Sequence, residues 1–165
     1  MTKLQPPSLA LLEKFRGEDF QALYTTSVTV EGGEAAHGRA SGIARSDDDQ
    51  LQVALRLPAE LGGAGGGTNP EQLFAAGYAA CFHGALSLLA THAGLPIPPG
   101  ATVKASVSFG RDPVDGLYAL TAQVNIHLPG MDPAVAQELV RNAERLCPYS
   151  KMARQGIQSV VALTQ

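Results

Sequence analysis

The stretch Leu73 to Ala90 contains no Asp, Glu, Lys or Arg, and it constrains the fold more than any other feature of this chain. It opens on Thr68-Asn69-Pro70-Glu71-Gln72. Asn69 is a good N-cap, Pro70 suits the first helical position, and Gln72 completes a capping-box pattern. Gly94 supplies a C-terminal stop. These signals predict a helix from Pro70 to about His92 or Ala93. Such a helix is apolar all round, yet its uncharged run falls short of the ~20 residues of a membrane span. The expected structure is therefore a central helix buried by the rest of the chain.

The flanking segments read as strands. Residues 22–30, 37–45 and 50–57 are β-branched or alternating and are separated by polar turns, which predicts an antiparallel meander. The Gly-rich loop 62–67 leads into the helix. Residues 101–110 and 117–128 predict a hairpin around Asp112-Pro113-Val114-Asp115-Gly116. Asp132-Pro133 starts an amphipathic helix through Leu146, which Pro148 stops. A last strand is expected at about 157–164. Residues 1–20 form an N-terminal extension with a short helix from Ser8 to about Phe15, and residues 21–165 form a single domain. The fold class is α+β.

Composition narrows the function. With 165 residues, 45% hydrophobic and 16% charged, the chain is globular and long enough for its own core. A net charge of -3 and the absence of Trp argue against a basic field or a stacking platform for nucleic acid. No membrane partner is expected. The N-terminus does not read as a signal peptide, so a cytoplasmic location is expected. There Cys81 and Cys147 face reducing conditions, where a catalytic disulfide is more plausible than a permanent one.

Cys81 lies about three turns into the apolar helix. Taken alone it reads as an inert core thiol, because burial in apolar surroundings keeps a thiol protonated. Cys147 precedes a Pro-forced chain break in Cys147-Pro148-Tyr149-Ser150, which makes it the easier of the two to expose and move. One buried and one mobile cysteine suit a two-thiol redox cycle. Glu71 stands in the first helical turn, where an acid complements the helix dipole. It is roughly 15 Å from Cys81 along a straight helix, too far for direct contact. Arg39, Arg45 and Arg56 are the basic residues of the first meander, and each reads first as a solvated strand residue. His37, His83, His92 and His127 have no metal-ligand spacing, and neither a metal nor a bound cofactor is expected.

The run Leu61 to Phe82, LGGAGGGTNPEQLFAAGYAACF, together with Cys147-Pro148-Tyr149-Ser150, resembles the organic hydroperoxide resistance proteins. These are a branch of the osmotically inducible protein C superfamily. Leu23-Tyr24-Thr25, Val28-Thr29-Val30 with Gly32-Gly33, and Leu128-Pro129-Gly130 extend the likeness over roughly residues 22–165. The resemblance implies antiparallel sheets wrapped around the central helix in an intertwined homodimer. It implies a thiol peroxidase that reduces alkyl and fatty-acid hydroperoxides to alcohols. Cys81 would be the peroxidatic and Cys147 the resolving cysteine. Glu71 would be the carboxylate that holds an active-site arginine. A dihydrolipoyl group on a lipoylated protein would be the electron donor. Glu34 stands where the family's arginine follows Gly-Gly, so Arg39 is the best substitute, with Arg45 and Arg56 behind it. Leu73, Phe74, Phe82 and the helix alanines would line an apolar pocket for the alkyl tail. The competing readings are a non-catalytic thiol redox sensor, a binder of hydrophobic ligands, and an acyl-thioester hydrolase of hot-dog type, which needs no cysteine.

Overall fold

The structure, a computed structural model, describes residues 14–33 and 40–164. The chain is α+β, with antiparallel strands and one long helix. Its elements are β1 (Val28–Glu31), β2 (Ser41–Ser46), β3 (Gln52–Arg56), a short 3-10 turn (Ala59–Leu61), α1 (Pro70–His92), β4 (Thr102–Arg111), β5 (Tyr118–His127), α2 (Pro133–Leu146) and α3 (Pro148–Gln155). They form two compact units. One combines Phe15–Ala75 with Val107–Thr121, and the other combines Ala76–Ser106 with the chain from Ala122 onward.

The first unit is built on the antiparallel sheet β1-β2-β3, in which Val30 pairs with Ala44 and Ile43 with Ala54. Ala40, Ala44 and Leu55 are its buried apolar residues. Asp48 closes the β2–β3 turn by accepting from Ser46 Oγ at 2.6 Å and Gln50 N at 3.1 Å. Those two bonds, the serine first, hold its carboxyl below the usual carboxylate range. β1 is shorter than the predicted 22–30, because β2 faces only Val28 to Glu31 and a strand ends where its ladder partner ends. The start of the predicted 37–45 strand lies outside the described residues, and β2 begins at Ser41. The predicted Ser8–Phe15 helix also lies outside them, except for residues 14 and 15, which are not helical.

The start of α1 is fixed by its own flanking residues. Thr68 N donates to Ala54 O at 2.9 Å, and Arg56 N donates to Thr68 O at 2.8 Å. The residue before the cap is thereby locked to β3. Asn69 Oδ1 then accepts Gln72 N at 2.9 Å, as a capping residue should. The other half of the capping box differs from expectation. Gln72 Oε1 takes the Thr68 hydroxyl at 2.9 Å, a closer partner once Thr68 is held by the strand.

The second unit contains most of α1, the base of the β4–β5 hairpin, and α2 and α3. Phe82, Leu86 and Leu89 of α1 are buried, as are Leu139 and Ala143 of α2. α1 ends in a left-handed Gly94 (φ 64), with Leu95 N donating to Ala90 O at 2.9 Å. This is the six-to-one bond of a Schellman stop, and a side chain at Gly94 would strain it. α2 is capped by Asp132, which accepts Ala134 N at 3.0 Å and Val135 N at 3.1 Å.

Four expectations need correction. α1 is not buried all round: Ala76, Ala80, Gly84 and Leu88 lie along an exposed face. Nor is it too short to cross a bilayer, since its 23 residues are long and apolar enough by length and composition alone. The uncharged run understated it because the capped ends add whole turns. Finally, Pro148 does not end helical structure. It occupies the first position of α3, where the missing N–H would be unpaired in any case. The expected strand at 157–164 is absent, and Val160 and Leu163 are 93% and 97% exposed. Its alternating residues have no ladder partner among the described residues, and alternation without a partner does not make a strand.

Asn69→Ala should lower stability by about 1 kcal/mol by removing the cap of α1. Thermal unfolding followed by circular dichroism checks this. An unchanged midpoint would mean that the Thr68 lock alone sets the helix start.

Candidate functional site

Within the second unit the structure brings the two cysteines together. Cys81 lies on α1, three residues after Tyr78 and four after Gly77, so all three share one side of the helix. Cys147 is the only residue between α2 and α3, with φ -66 and ψ 116. Its N–H closes α2 on Ala143 O at 2.8 Å, and its carbonyl accepts Lys151 N at 3.1 Å in the first turn of α3. The backbone at this corner is therefore held from both sides, and the side chain is aimed at α1.

The Cys147 thiol donates to Cys81 Sγ at 3.2 Å, and both cysteines are free. A disulfide has a sulfur–sulfur length of about 2.05 Å, so a bond requires an approach of about 1 Å. Exposure is the reverse of the sequence expectation. Cys147 is 0% exposed, whereas Cys81 is only partly buried. The chain break after Cys147 does not free it, because α3 begins at the next residue.

The Cys81 thiol is raised above its ordinary value. Burial is the largest cause, since it disfavours the thiolate. The Tyr149 backbone N–H, in the first turn of α3, pulls the other way by donating to the sulfur. A helix N-terminus is a recognised stabiliser of thiolates. Cys147 pushes the value up again, through its hydrogen bond and its own charge. No cation figures among these influences on Cys81 from the described residues.

Three residues that sequence reasoning missed surround the pair. Tyr78 donates its hydroxyl to Ser150 Oγ at 3.2 Å, in a buried contact between residues 72 positions apart. Tyr149 lies against Tyr78, with ring centroids 5.9 Å apart. A Cβ on Gly77 would come within 2.7 Å of the Tyr149 hydroxyl, so the glycine gives that ring its place. The run Cys147-Pro148-Tyr149-Ser150 was visible in the sequence, but its partners on α1 were not. Phe82, expected at an alkyl pocket, lines a cavity of about 290 Å³ with Val124, Ile126 and Val140.

Of the other predicted site residues, Glu71, Arg45 and Arg56 belong to the first unit. Glu71 is in the first turn of α1. Arg45 pairs with Asp49 at 3.3 Å in an exposed bridge of small energetic weight. Arg56 donates from Nη1 to Leu55 O at 2.7 Å. Arg39 and Glu34 lie outside the described residues, as does His37. No group of three or more His, Cys, Asp or Glu among the described residues could hold a metal ion.

The family profile described as OsmC-like protein matches residues 63–161. An organic hydroperoxide resistance protein of Xanthomonas axonopodis pv. citri is 44% identical over 144 residues, covering 87% of this chain and 96% of its own. The chain belongs to the organic hydroperoxide resistance branch of the OsmC-like proteins. Solved structures agree with that membership. The organic hydroperoxide resistance protein OsmC of Legionella pneumophila matches with a TM-score of 0.72 at 38% identity, over 82% of this chain and 93% of its own. OhrB of Bacillus subtilis matches with a TM-score of 0.69 at 40% identity, over 81% and 93%. The family match includes both cysteines and the whole of α1, α2 and α3.

Both influences of Cys147 raise the Cys81 thiol, so removing Cys147 should lower it. In Cys147→Ala the ultraviolet thiolate absorbance of Cys81 should rise at lower pH than in wild type. A midpoint that stays or moves up would show that Cys147 does not act on Cys81.

Proposed function

We propose that this protein is a cysteine-based peroxidase that reduces organic hydroperoxides to alcohols. The observation that carries the reading is the 3.2 Å approach of two free thiols, one on α1 and one at the α2–α3 corner. Membership of the organic hydroperoxide resistance branch supports the substrate class.

The Cys81 thiolate attacks the terminal oxygen of the hydroperoxide. A sulfur–oxygen bond forms as the oxygen–oxygen bond breaks, and the alkoxide takes a proton to become the alcohol. Cys81 is left as a sulfenic acid. Cys147 condenses with it, giving a disulfide and water. A dihydrolipoyl dithiol of a lipoylated protein then reduces the disulfide by exchange. No bound cofactor takes part.

Burial pushes the Cys81 thiol up, and a cation beside it would favour the thiolate. Arg39 is the residue assigned to that role, and Glu71 is assigned to aim it. A guanidinium beside the sulfur would also stabilise charge on the peroxide oxygens. Arg45 and Arg56 are the alternatives, and each already has a partner within the first unit.

The working form is a homodimer in a cytoplasmic, reducing setting. Three exposed apolar surfaces support the dimer. They are the α1 face with Leu88, the segment holding Phe20, Leu23 and Tyr24, and the tail holding Val160, Val161 and Leu163. Exposed apolar area on this scale signals a covering partner.

Steady-state turnover with dihydrolipoamide tests the reading. An alkyl hydroperoxide should be reduced faster than hydrogen peroxide, and Cys81→Ser should fall to background. Arg39→Ala should lose about 10²–10³ in kcat/KM, as for removal of a charge-stabilising donor. It should also move the pH dependence of Cys81 alkylation upward. Disulfide formation without turnover would instead favour the redox-sensor reading, and turnover that survives Cys81→Ser would overturn the assignment.

A further inference from the structure

The contact between Tyr78 and Ser150 has a geometry that the peroxidase reading does not use. Tyr78 stands three residues before Cys81 on α1, and Ser150 stands three residues after Cys147 in α3. Residues three apart on a helix share a face. The hydroxyl bond of 3.2 Å therefore lies one turn away from the thiol contact of 3.2 Å, on the same pair of elements. Tyr78 is 8% and Ser150 1% exposed, so water does not compete freely for this bond. A cavity of about 290 Å³ borders both residues. The buried hydrogen bond ties α3 to α1 beside it. A third tie is the Tyr149 ring against Gly77, each residue standing one position before a member of the hydroxyl pair.

We propose that Tyr78 and Ser150 are positioning residues that hold Cys147 within reach of Cys81 during disulfide closure. This rests on the assignment of Cys81 and Cys147 as the reacting pair. In the step concerned, Cys147 sulfur attacks the sulfur of the Cys81 sulfenic acid. The sulfur–sulfur bond forms and the sulfur–oxygen bond breaks. The hydroxide leaves with the Cys147 proton as water, and the electron pair of the new bond comes from Cys147. The Tyr78–Ser150 bond is assigned no part in the earlier attack on the hydroperoxide. It limits the search that Cys147 must make, which is the part of the barrier that orientation controls.

The test separates the two steps. Pre-reduced protein is mixed with an alkyl hydroperoxide and quenched at intervals. Sulfenic acid is trapped with dimedone, and the products are counted by mass spectrometry. In Tyr78→Phe and in Ser150→Ala the rate of Cys81 oxidation should stay within about twofold of wild type. The rate of disulfide closure should fall roughly tenfold, equivalent to about 1.4 kcal/mol of barrier. With excess hydroperoxide, Cys81 sulfinic acid should accumulate in the same variants. Ser150→Thr keeps a hydroxyl and should restore closure. Two results would overturn the proposal: closure at the wild-type rate in both Tyr78→Phe and Ser150→Ala, or oxidation and closure slowed equally, which marks general damage to the fold. The underlying assignment fails differently, through a wild-type protein that forms no Cys81 sulfenic acid and no disulfide.

Discussion

The site depends on one corner of the backbone. Cys147 ends α2 and begins α3, so a single residue carries the hydrogen bonds that close one helix and open the next. That double duty fixes its dihedrals and points its sulfur at α1, where Cys81 waits 3.2 Å away. The sequence alone suggested a mobile Cys147. Here both thiols are held by helices, and the approach needed for a bond is small against the reach of a side-chain rotation.

The same corner explains the electrostatics of Cys81. Burial beside α2 and α3 raises the thiol, while the first turn of α3 returns part of that by aiming the Tyr149 N–H at the sulfur. The two effects oppose each other because the same packed elements supply both. A nearby positive charge would favour the thiolate, as burial disfavours it.

Much of the fold was legible in the sequence where the signal is local. Asn69, Pro70 and Gly94 bracket α1, and the structure uses all three at its ends. Asp132 likewise marks α2. Pro148 misled because proline is both a helix breaker and a favoured first residue, and only the following residues decide which. The tail alternates like a strand, but a strand needs an edge to pair with, and the edge is not encoded locally. At the site, both cysteines stood out by type and surroundings. Their relative exposure did not, because Cys147 sits between two helices, and α3 was not expected from the sequence. Tyr78 and Ser150 each lie in a quoted motif, but their contact was invisible for a related reason: they meet across 72 residues.

The most direct test of the central claim is peptide mapping of the protein after one equivalent of an alkyl hydroperoxide. An intrachain disulfide joining the Cys81 peptide to the Cys147 peptide, formed in near-stoichiometric yield and reversed by dihydrolipoamide, is the expected result. Two free cysteines after the hydroperoxide has been consumed would contradict it. So would a bond that links cysteines of different chains.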